Sequence, residues 1–570
     1  MSSTGSLHSL PREHYNATTR KQIEPDISTK ILNQPETPPI SQDQLIAEVK
    51  GIYAGLVMIE GKCMQVDDKQ AQLAMEAAPG DQPVLKNEQY QALIVLHRTL
   101  LHEHHDFFLA SQHPSAPDAV RRLAVKYAMP ARLWRHGIHS FLELLRNRLP
   151  ASLEYMLAFI YLAYSMVTLI LETVPSFADT WIECLGDLGR YRMAIEDNHI
   201  HDRQIWTDVA RQWYLKSANS SPKTGRLYHH LAILARPDSL PQLLYYGKSL
   251  SVPIQFEAAK ESIMTLFDPI LYPGIRKTRC PPVLAAFVKC HAILFTGRFK
   301  NAFTDTLCDY LDLMDAYIAQ KDINYMEDGY SMAISNCMAL MSYGNENNAL
   351  AQFIKSTTGI KNNTSAVQTP VTADLVFQDA MKLFHKTAQL HFGHKGNLNV
   401  LPYVHVTLVF LQYMADIEGA LHLISLNFPW KDLCAMLNNV LELLRPTGLQ
   451  TIIADKFPMP TDTRTIVDHL AVLAIQDKPD ATASTRSIRS TDDFGPLPED
   501  WAMRGLIWSQ KSLPEDWFSD PNLEPEKQFM ESKTETQVYR PERIAWLAIQ
   551  LSRTEAPIEF DAVTKMFSFQ

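Results

Sequence analysis

The chain has 570 residues, a formal net charge of −10 and only 21 glycines. Its length suits two or three domains or one extended helical array, and its acidic balance excludes an overall basic field that would attract nucleic acid. Glycine is scarce for a globular protein, and no Asn-Gly or Asp-Gly turn separates alternating strands. The composition therefore predicts an all-α protein.

The cysteines and the apolar runs exclude two further classes. Seven cysteines are scattered without a Cys-x-x-Cys pair or a zinc-like spacing, which is typical of reduced thiols in the nucleus or cytoplasm. No signal peptide opens the chain. The closest approach to a membrane span is 155–171, whose 17 uncharged residues stand at the lower limit for crossing a bilayer. Its tyrosines favour a core helix buried on all sides, and no membrane contact is expected.

The first 200 residues divide into two parts. Residues 1–40 are polar and rich in Ser, Thr and Pro, which predicts a disordered arm. Residues 41–200 show repeated helical periodicity and are predicted to form one helical domain, with helices at 131–149, 152–173 and 179–196.

Residues 201–280 are predicted to contain four short helices, paired as two tetratricopeptide-like hairpins. Ala218, Gly225 and Ala232 are small enough to let such helices approach closely. Two hairpins are too few for a free-standing solenoid, so they must pack on neighbouring helices. Residues 281–477 are predicted to form a C-terminal domain of further helical hairpins.

The last part, 478–570, changes in character. It begins with a Ser/Thr/Arg-rich linker and repeats the string LPEDW at 497–501 and 513–517. Its Trp and Pro content predicts an irregular strap that docks onto the helical body, followed by a final helix at 542–551.

No motif of a catalytic or cofactor site is present. The chain has no Gly-rich phosphate loop, Gly-x-Ser-x-Gly elbow or His-Glu-x-x-His helix. His102 and Asp106, in the run HEHHD, supply only two ligands on one helical face, fewer than a stable metal site needs. We interpret the run as a solvated helix end. The sequence thus predicts no enzyme, no cofactor, no metal site and no small-molecule substrate.

Two predicted helices carry cations that could share one phosphate group. His139 and Arg146 lie on one face of the first helix, and Arg190 and Tyr191 lie on another helix. Arg binds phosphate in bidentate fashion, and Tyr adds a hydroxyl donor. Protonated histidine would bind best, which predicts tighter binding near about pH 6 than near pH 8. The alternative is that these groups form internal salt bridges with nearby carboxylates, namely Glu143, Asp187 and Glu196.

A second basic set lies in the hairpin region and could face a nucleic-acid backbone, with neighbouring tyrosines available for base stacking. The cationic residues are Lys216, Lys223, Arg226, His229, His230, Arg236 and Lys248. The tyrosines are Tyr228, Tyr245 and Tyr246. The alternative is that the tyrosines form the hairpin core and the cations solvate its rim, because the chain lacks a basic excess.

Several of these segments resemble a known family. The string LGDLGRYR at 185–192 is similar to the phosphate-binding helix of 14-3-3 proteins, and the run from Tyr214 to Phe256 resembles the helical hairpins of the Est/Smg family. Further similar segments follow in the same order, namely Val404–Leu411, Phe428–Trp430, Leu497–Asp500, Arg504–Gly505 and Arg543–Leu547. The chain is therefore identified as a member of this family, of a fungal type, over nearly everything between residues 45 and 551.

The resemblance implies a fold and a phosphate site. The family includes the ever-shorter-telomeres protein of telomerase and the Smg adaptors of nonsense-mediated mRNA decay. Its members share a 14-3-3-like domain with tetratricopeptide repeats and then a helical DNA/RNA-binding domain. Arg190 and Tyr191 match the phosphate-binding pair, Arg146 matches a second pocket arginine, and His139 stands where the family has a lysine. Some relatives end in a PIN nuclease domain; this chain ends at Gln570, so we expect none here.

The resemblance implies two alternative functions, and a third, unrelated class stays open beside them. The leading hypothesis is a non-catalytic adaptor, nuclear and cytoplasmic, that binds a phosphorylated partner, the RNA helicase of mRNA decay or another phosphoprotein. Its C-terminal hairpins would recruit degradation factors or a second family member as a heterodimer. The second is a telomerase-associated subunit that binds telomerase RNA or single-stranded telomeric DNA. The third is a structural scaffold with an inactive pocket.

Overall fold

A computed structural model describes residues 40–76, 85–196, 199–272, 280–357, 374–445, 457–458, 496–519, 528–529 and 538–570. The chain is an all-α array, as predicted, with one short β-hairpin near its C-terminus. Residues 1–39 of the predicted N-terminal arm (1–40) and the linker at 478–493 lie outside the described residues.

The N-terminal block packs its helices around one hydrophobic core that runs from Leu45 to Tyr191. Neighbouring helices α1 and α2, α2 and α7, and α7 and α8 form its main packed pairs. The helices are α1 Gln42–Glu76, α2 Asn87–Ser111, α3 Asp118–Arg121, α4 Leu123–Lys126, α5 Met129–Arg132, α6 Ser140–Arg146, α7 Leu153–Thr173 and α8 Ala178–Ala194.

The hairpin helices follow directly. α9 packs on α8 and α10, and α10 packs on α11. They belong to a second hydrophobic core, which continues from Ala210 to Phe567, so the two hairpins are supported by the helices that come after them. Their bounds are α9 Ile200–Ser220, α10 Gly225–Leu234, α11 Ser239–Ser251, α12 Ala259–Ser262 and α13 Met264–Leu271.

The close approach predicted at Gly225 is present where α10 begins. The Gly225 N–H donates to the Ile254 carbonyl at 2.8 Å, and the Ile254 N–H donates to the Lys223 carbonyl at 3.0 Å. A Cβ added at Gly225 would lie 2.2 Å from the Ser249 carbonyl oxygen. Only glycine allows the backbones of α10 and of the segment after α11 to meet at this distance.

The C-terminal block surrounds two helices, α16 and α19, that are almost entirely buried. Local signals set several ends: Asp374 caps α18 by accepting from the Val376 and Phe377 N–H groups, and Gly297 ends α14 in the left-handed conformation. The bounds are α14 Pro282–Thr296, α15 Phe303–Lys321, α16 Tyr325–Leu340, α17 Ala349–Thr357, α18 Leu375–Gly393, α19 Leu401–Ala415, α20 Ala420–Ser425 and α21 Trp430–Leu444.

The predicted strap is more regular than expected. The first LPEDW string lies at the start of a helix, α22 (Pro498–Met503), and the last helix, α23, spans Arg540–Leu551. The sequence did not predict the antiparallel hairpin of β1 (Ile558–Asp561) and β2 (Met566–Phe569). The Asn438 side chain on α21 binds both backbone groups of Phe567, at 2.7 and 2.9 Å, so a distant helix supplies part of the hairpin's hydrogen bonding.

A buried ionic cluster fixes α22 and α23 to the C-terminal core. Glu499 accepts two hydrogen bonds from Arg540, at 2.7 and 2.9 Å, and one from the His405 ring at 2.8 Å. Although burial alone would raise the pKa of Glu499, Arg540 and His405 hold it well below its usual value. A buried carboxylate is tolerated only with such partners. If α23 left this position, Glu499 would remain buried without the opposite charge of Arg540.

The second carboxylate of the first LPEDW string is equally enclosed. Asp500 accepts from the Arg543 guanidinium at 2.9 and 3.1 Å and from the Trp517 indole N–H at 3.1 Å. Trp517 belongs to the second LPEDW string, so the two copies contact each other. In that second copy Glu515 and Asp516 are exposed. Identical strings therefore have different structural roles.

The expectation that residues 155–171 are buried on all sides is wrong. One face of α7 packs on α2, α6 and α8, but Tyr161 and Leu169 on the other face are about half exposed, at 50% and 44%. By length and composition alone, α7 and the stretch Leu398–Ala415 are apolar enough to cross a membrane. The second of these is mostly buried inside the protein, as the core helix of a folded domain is.

Candidate phosphate-binding cluster and basic hairpin surface

Two of the four predicted phosphate ligands, Arg146 and Tyr191, bind one carboxylate, Glu143 on α6. The Tyr191 hydroxyl on α8 donates to Glu143 Oε1 at 2.6 Å, and Arg146 forms an ion pair with Glu143 Oε2 at 2.7 Å. The His139 ring lies edge-on to the Tyr191 ring, with centroids 6.3 Å apart. We call His139, Glu143, Arg146 and Tyr191 the Glu143 cluster. Burial and the hydrogen bond to Glu143 raise the pKa of Tyr191 well above its usual value, so its hydroxyl stays protonated and donates a hydrogen bond at physiological pH.

Arg190 lies on the inner side of this cluster. Its guanidinium is 5.5 Å from the centroid of the Tyr191 ring and pairs with Asp187 at 3.0 Å. The Tyr214 hydroxyl on α9 donates to the same Asp187 oxygen at 2.6 Å. Burial alone would lower the pKa of Arg190, but Tyr214 and Asp187 raise it above its usual value. Arg190 therefore stays charged and is held in place by α8 and α9.

The internal salt bridges considered from the sequence are present at Glu143 and Asp187, whereas Glu196 pairs with Arg192 and not with Arg190. The two pairs differ in exposure. The Arg146 side chain is 52% exposed and Arg190 is 29% exposed. Exposed ion pairs contribute little to stability, so an incoming phosphate can replace Glu143 at Arg146 more easily than it can replace Asp187 at Arg190.

The helix that carries the cluster is not the continuous α-helix predicted at 131–149. It consists of α5, a π-helical segment at Leu133–His139, and α6. The Ser140 N–H donates to the Arg135 carbonyl, five residues back, which widens the turn just before the cluster. π-helical insertions of this kind occur frequently at functional sites, and here the insertion ends at His139.

Four of the predicted nucleic-acid residues remain on the surface: Lys216, Lys223, Arg226 and Arg236. Arg226 pairs with Glu183 on α8 at 2.7 Å, and Arg236 donates to the Thr265 hydroxyl at 2.7 Å. The Lys216 ammonium lies 5.6 Å from the Trp213 ring centroid. These four cations are the exposed basic surface of the hairpins.

The two histidines of the set belong to the interior of the hairpins. The His229 ring hydrogen-bonds with the Ser262 hydroxyl at 2.9 Å. His230 stacks on Tyr214 with ring centroids 4.8 Å apart and faces Glu183 at 3.7 Å. Burial lowers the pKa of His230 to about 4, so this ring is neutral near pH 7 and attracts no phosphate.

Lys248 does not lie on the predicted surface. It is 2% exposed, and its ammonium sits 4.2 Å from the centroid of the Tyr228 ring. Tyr228 and Tyr246 are buried as well, so these two hairpin tyrosines form core and are not available for base stacking, whereas Tyr245 is half-buried. The helical periodicity of α11 could have indicated this, because Lys248 lies four residues after the buried Leu244 and therefore on the same face of the helix.

The HEHHD run lies within α2 and is only partly solvated, unlike the solvated helix end interpreted from the sequence. His104 is buried, His105 hydrogen-bonds with the Thr173 hydroxyl at 3.1 Å, and His102 and Asp106 are exposed. Within the described ranges, no group of three or more His, Cys, Asp or Glu side chains is arranged to hold a metal ion.

Comparison with known proteins finds that parts of this chain are similar to Est1 and EST/SMG-like proteins. Residues 210–465 match the family model described as the Est1 DNA/RNA binding domain. Over 87 residues, 15% of this chain, the sequence is 38% identical to a telomerase-binding protein EST1A of Danio rerio. Over 164 residues, 28% of this chain, it is 26% identical to EST/SMG-like protein 2 of Saccharomyces cerevisiae. A nonsense-mediated mRNA decay factor SMG7-like of Arabidopsis thaliana is 36% identical over 87 residues, also 15% of this chain.

The matched segments span 5%, 13% and 10% of these three relatives, a small part of each. The fold has a broader match in a crystal structure of Est1 and Cdc13, with a TM-score of 0.52 at 9% identity, covering 85% of this chain and 97% of that one. This likeness concerns the fold alone.

Proposed function

Since the chain belongs to the Est/Smg family, we propose that it is a non-catalytic adaptor that binds a phosphorylated protein through the Glu143 cluster. The observation that supports this most directly is that Arg146 and Tyr191 bind one carboxylate, Glu143, while His139 and Arg190 lie beside the Tyr191 ring. A phosphate in place of Glu143 would accept from Arg146 and Tyr191 together, which is the geometry in which charge-assisted hydrogen bonds are strongest.

The proposed partner is the phosphorylated RNA helicase of nonsense-mediated mRNA decay. The relatives named as a decay factor and an EST/SMG-like protein support this choice. In this proposal the C-terminal helices recruit decay factors or a second family member, and the protein works in the nucleus and cytoplasm.

Glu143→Gln is expected to tighten phosphopeptide binding about tenfold. The amide keeps the shape of the side chain and still accepts from Tyr191, but it removes the negative charge that competes with phosphate at Arg146. Fluorescence anisotropy with a labelled phosphoserine peptide of the helicase, and with its unphosphorylated counterpart, measures the effect. An unchanged affinity, or equal affinity for both peptides, would contradict the proposal.

Arg146→Ala is expected to weaken the same binding about tenfold, because one charge-assisted hydrogen bond to phosphate is lost. The matched control is Arg122→Ala, another exposed arginine of the N-terminal block that lies outside the Glu143 cluster, and we expect it to bind as the unmodified chain does. Arg190→Ala is less informative, because it also removes the partner of the buried Asp187. If both arginine variants lose equal affinity, the binding is nonspecific.

The alternative is a telomerase-associated role, which the match to the Est1 DNA/RNA binding domain favours. In this role Lys216, Lys223, Arg226 and Arg236 contact telomerase RNA or single-stranded telomeric DNA. Four phosphate contacts predict that the logarithm of affinity falls with the logarithm of salt concentration with a slope of about −3. Anisotropy titrations from low to physiological salt distinguish the roles, since no binding at low salt excludes this one.

A further inference from the structure

A small cavity lies along one face of α11, away from the Glu143 cluster. Its volume is about 40 Å³, enough for roughly three water-sized groups. Lys248 lines it, together with Tyr228 on α10 and Arg504, the residue that follows α22. The remaining wall is mostly apolar and includes Leu244 and Trp501.

Two cations therefore face one buried space. The Arg504 guanidinium lies 4.5 Å from the Phe518 ring centroid and 5.2 Å from the Trp501 ring centroid. Within the described part of the chain, neither Lys248 nor Arg504 has a carboxylate within ion-pair distance. Removing a charge from water costs several kcal/mol unless an opposite charge or hydrogen bonds replace the water. The ring faces compensate only part of that cost.

The position of Arg504 is fixed by the backbone. Gly505 has a φ of +90°, and a Cβ there would lie 2.0 Å from the Pro222 carbonyl oxygen. The Tyr228 hydroxyl is within hydrogen-bonding distance of the carbonyl oxygens of Pro222, at 2.9 Å, and of Arg504, at 3.3 Å. The chain therefore holds its second cation at the cavity by a glycine turn and a buried tyrosine.

One carboxyl group, Glu327, also lines the cavity, but the cations that shift its pKa are neither Lys248 nor Arg504. Glu327 on α16 has its pKa raised by burial and by Asp328, while Arg211 and Lys321 lower it. Lys248 is not among the groups that shift it. Burial, and secondly Arg504, lower the pKa of Lys248 to about 7. An anion in the cavity would reverse that effect and keep the ammonium charged.

We propose that this cavity is a binding site for one small oxyanion, a carboxylate or a tetrahedral sulfate-like or phosphate-like group, held between Lys248 and Arg504. The two cations supply the charge, the ammonium supplies up to three donors and the guanidinium a planar fork. The mostly apolar wall reduces contact with water and so strengthens both interactions. The site is independent of the proposed function, because no residue of the Glu143 cluster lines it.

The test is a calorimetric titration of the full chain with sodium sulfate at constant ionic strength, balanced with chloride. The Arg146→Ala background silences the Glu143 cluster, which could bind sulfate itself. Sulfate keeps its charge between about pH 6 and pH 8, so a change in affinity reports on the protein. We expect saturable binding at pH 6 that is about tenfold weaker at pH 8, because Lys248 loses its proton in this range.

The titratable or charged residues that line the cavity with Lys248 are Tyr228, Tyr245, Glu327, Tyr330 and Arg504. Burial raises the pKa of Tyr228 and of Tyr245, so neither hydroxyl titrates between about pH 6 and pH 8. Lys248→Met is expected to fold, because an apolar chain of similar length fills the same space, and to lose sulfate binding at both pH values. Arg504→Gln should weaken binding at least tenfold. The matched control is Lys216→Met, at an exposed lysine of α9, which should bind as its parent does.

A parallel titration with sodium acetate distinguishes a carboxylate ligand from a tetrahedral oxyanion. Acetate binding that also disappears in Lys248→Met assigns the site to carboxylates of a ligand, and sulfate binding alone assigns it to tetrahedral groups. The proposal is overturned if neither anion shows saturable binding at pH 6, or if binding survives Lys248→Met.

Discussion

Asp500→Ala is expected to lower the free energy of unfolding by about 3–5 kcal/mol, because it leaves the buried guanidinium of Arg543 without its carboxylate. Arg543 is 1% exposed and Asp500 is fully buried. Burial alone would lower the pKa of Arg543, and Asp500 raises it above its usual value. Arginine is effectively always protonated in proteins, so the buried charge remains when Asp500 is removed. Urea unfolding followed by tryptophan fluorescence measures the loss, since Trp517 lies in the same cluster.

The sequence supplies its own control for this prediction. Asp516 occupies the same place in the second LPEDW string but is exposed, so Asp516→Ala should change stability by no more than about 0.5 kcal/mol. Replacing the pair together, Asp500→Leu with Arg543→Met, should recover part of the loss, because no unpaired charge remains. Equal losses for Asp500→Ala and Asp516→Ala would show that the buried ion pair is not the cause.

Gly225→Ala is expected to destabilise the protein by about 3 kcal/mol although it adds only one methyl group. That Cβ would lie 2.2 Å from the Ser249 carbonyl oxygen and 2.9 Å from the Ile254 carbonyl oxygen. Both contacts are with backbone atoms, so a side-chain rotation cannot relieve them, and α10 must move away from the segment that follows α11. Overpacking of a tight contact typically costs 1–3 kcal/mol and occasionally more, and the Gly225 to Ile254 hydrogen bond would be strained as well.

The matched control is Gly51→Ala in the middle of α1, where nothing lies within 4 Å of the added Cβ. Alanine is a better helix former than glycine by about 1 kcal/mol, so this variant should be neutral or more stable. Thermal unfolding of the two variants side by side compares the same chemical change in two environments. A small effect of Gly225→Ala, similar to that of Gly51→Ala, would contradict the close approach.

The sequence identified the residues of the candidate phosphate site. It did not decide which charged groups pair with each other there. Helical spacing placed His139 and Arg146 on one helix and Arg190 and Tyr191 on another. It did not show that Glu143 sits between them and binds both Arg146 and Tyr191. Pairing across helices depends on how α6 and α8 pack, which periodicity within one helix does not encode.

The basic set of the hairpins shows the same limit more sharply. Seven cations were grouped because they are close in the sequence, yet four are exposed, two are hairpin histidines and Lys248 is buried. Lys248 is surrounded by α10, α16 and the chain after α22, the last of which is about 250 residues away along the sequence. A lysine is almost never fully buried, so composition argued for the surface and tertiary packing decided otherwise.

The sequence by itself determined the all-α class and the existence of the hairpins, and it indicated close helix approach near Gly225, because helical periodicity and small-residue spacing are local properties. That position 225 requires glycine was decided by the tertiary structure. Tertiary structure alone decided which of two identical LPEDW strings is buried. The first copy meets Arg540 and Arg543, whereas Glu515 and Asp516 of the second copy remain exposed. The strings carry the same charges and the same propensities. Only the copy that the folded chain places against α23 finds the opposite charges that make burying two carboxylates possible.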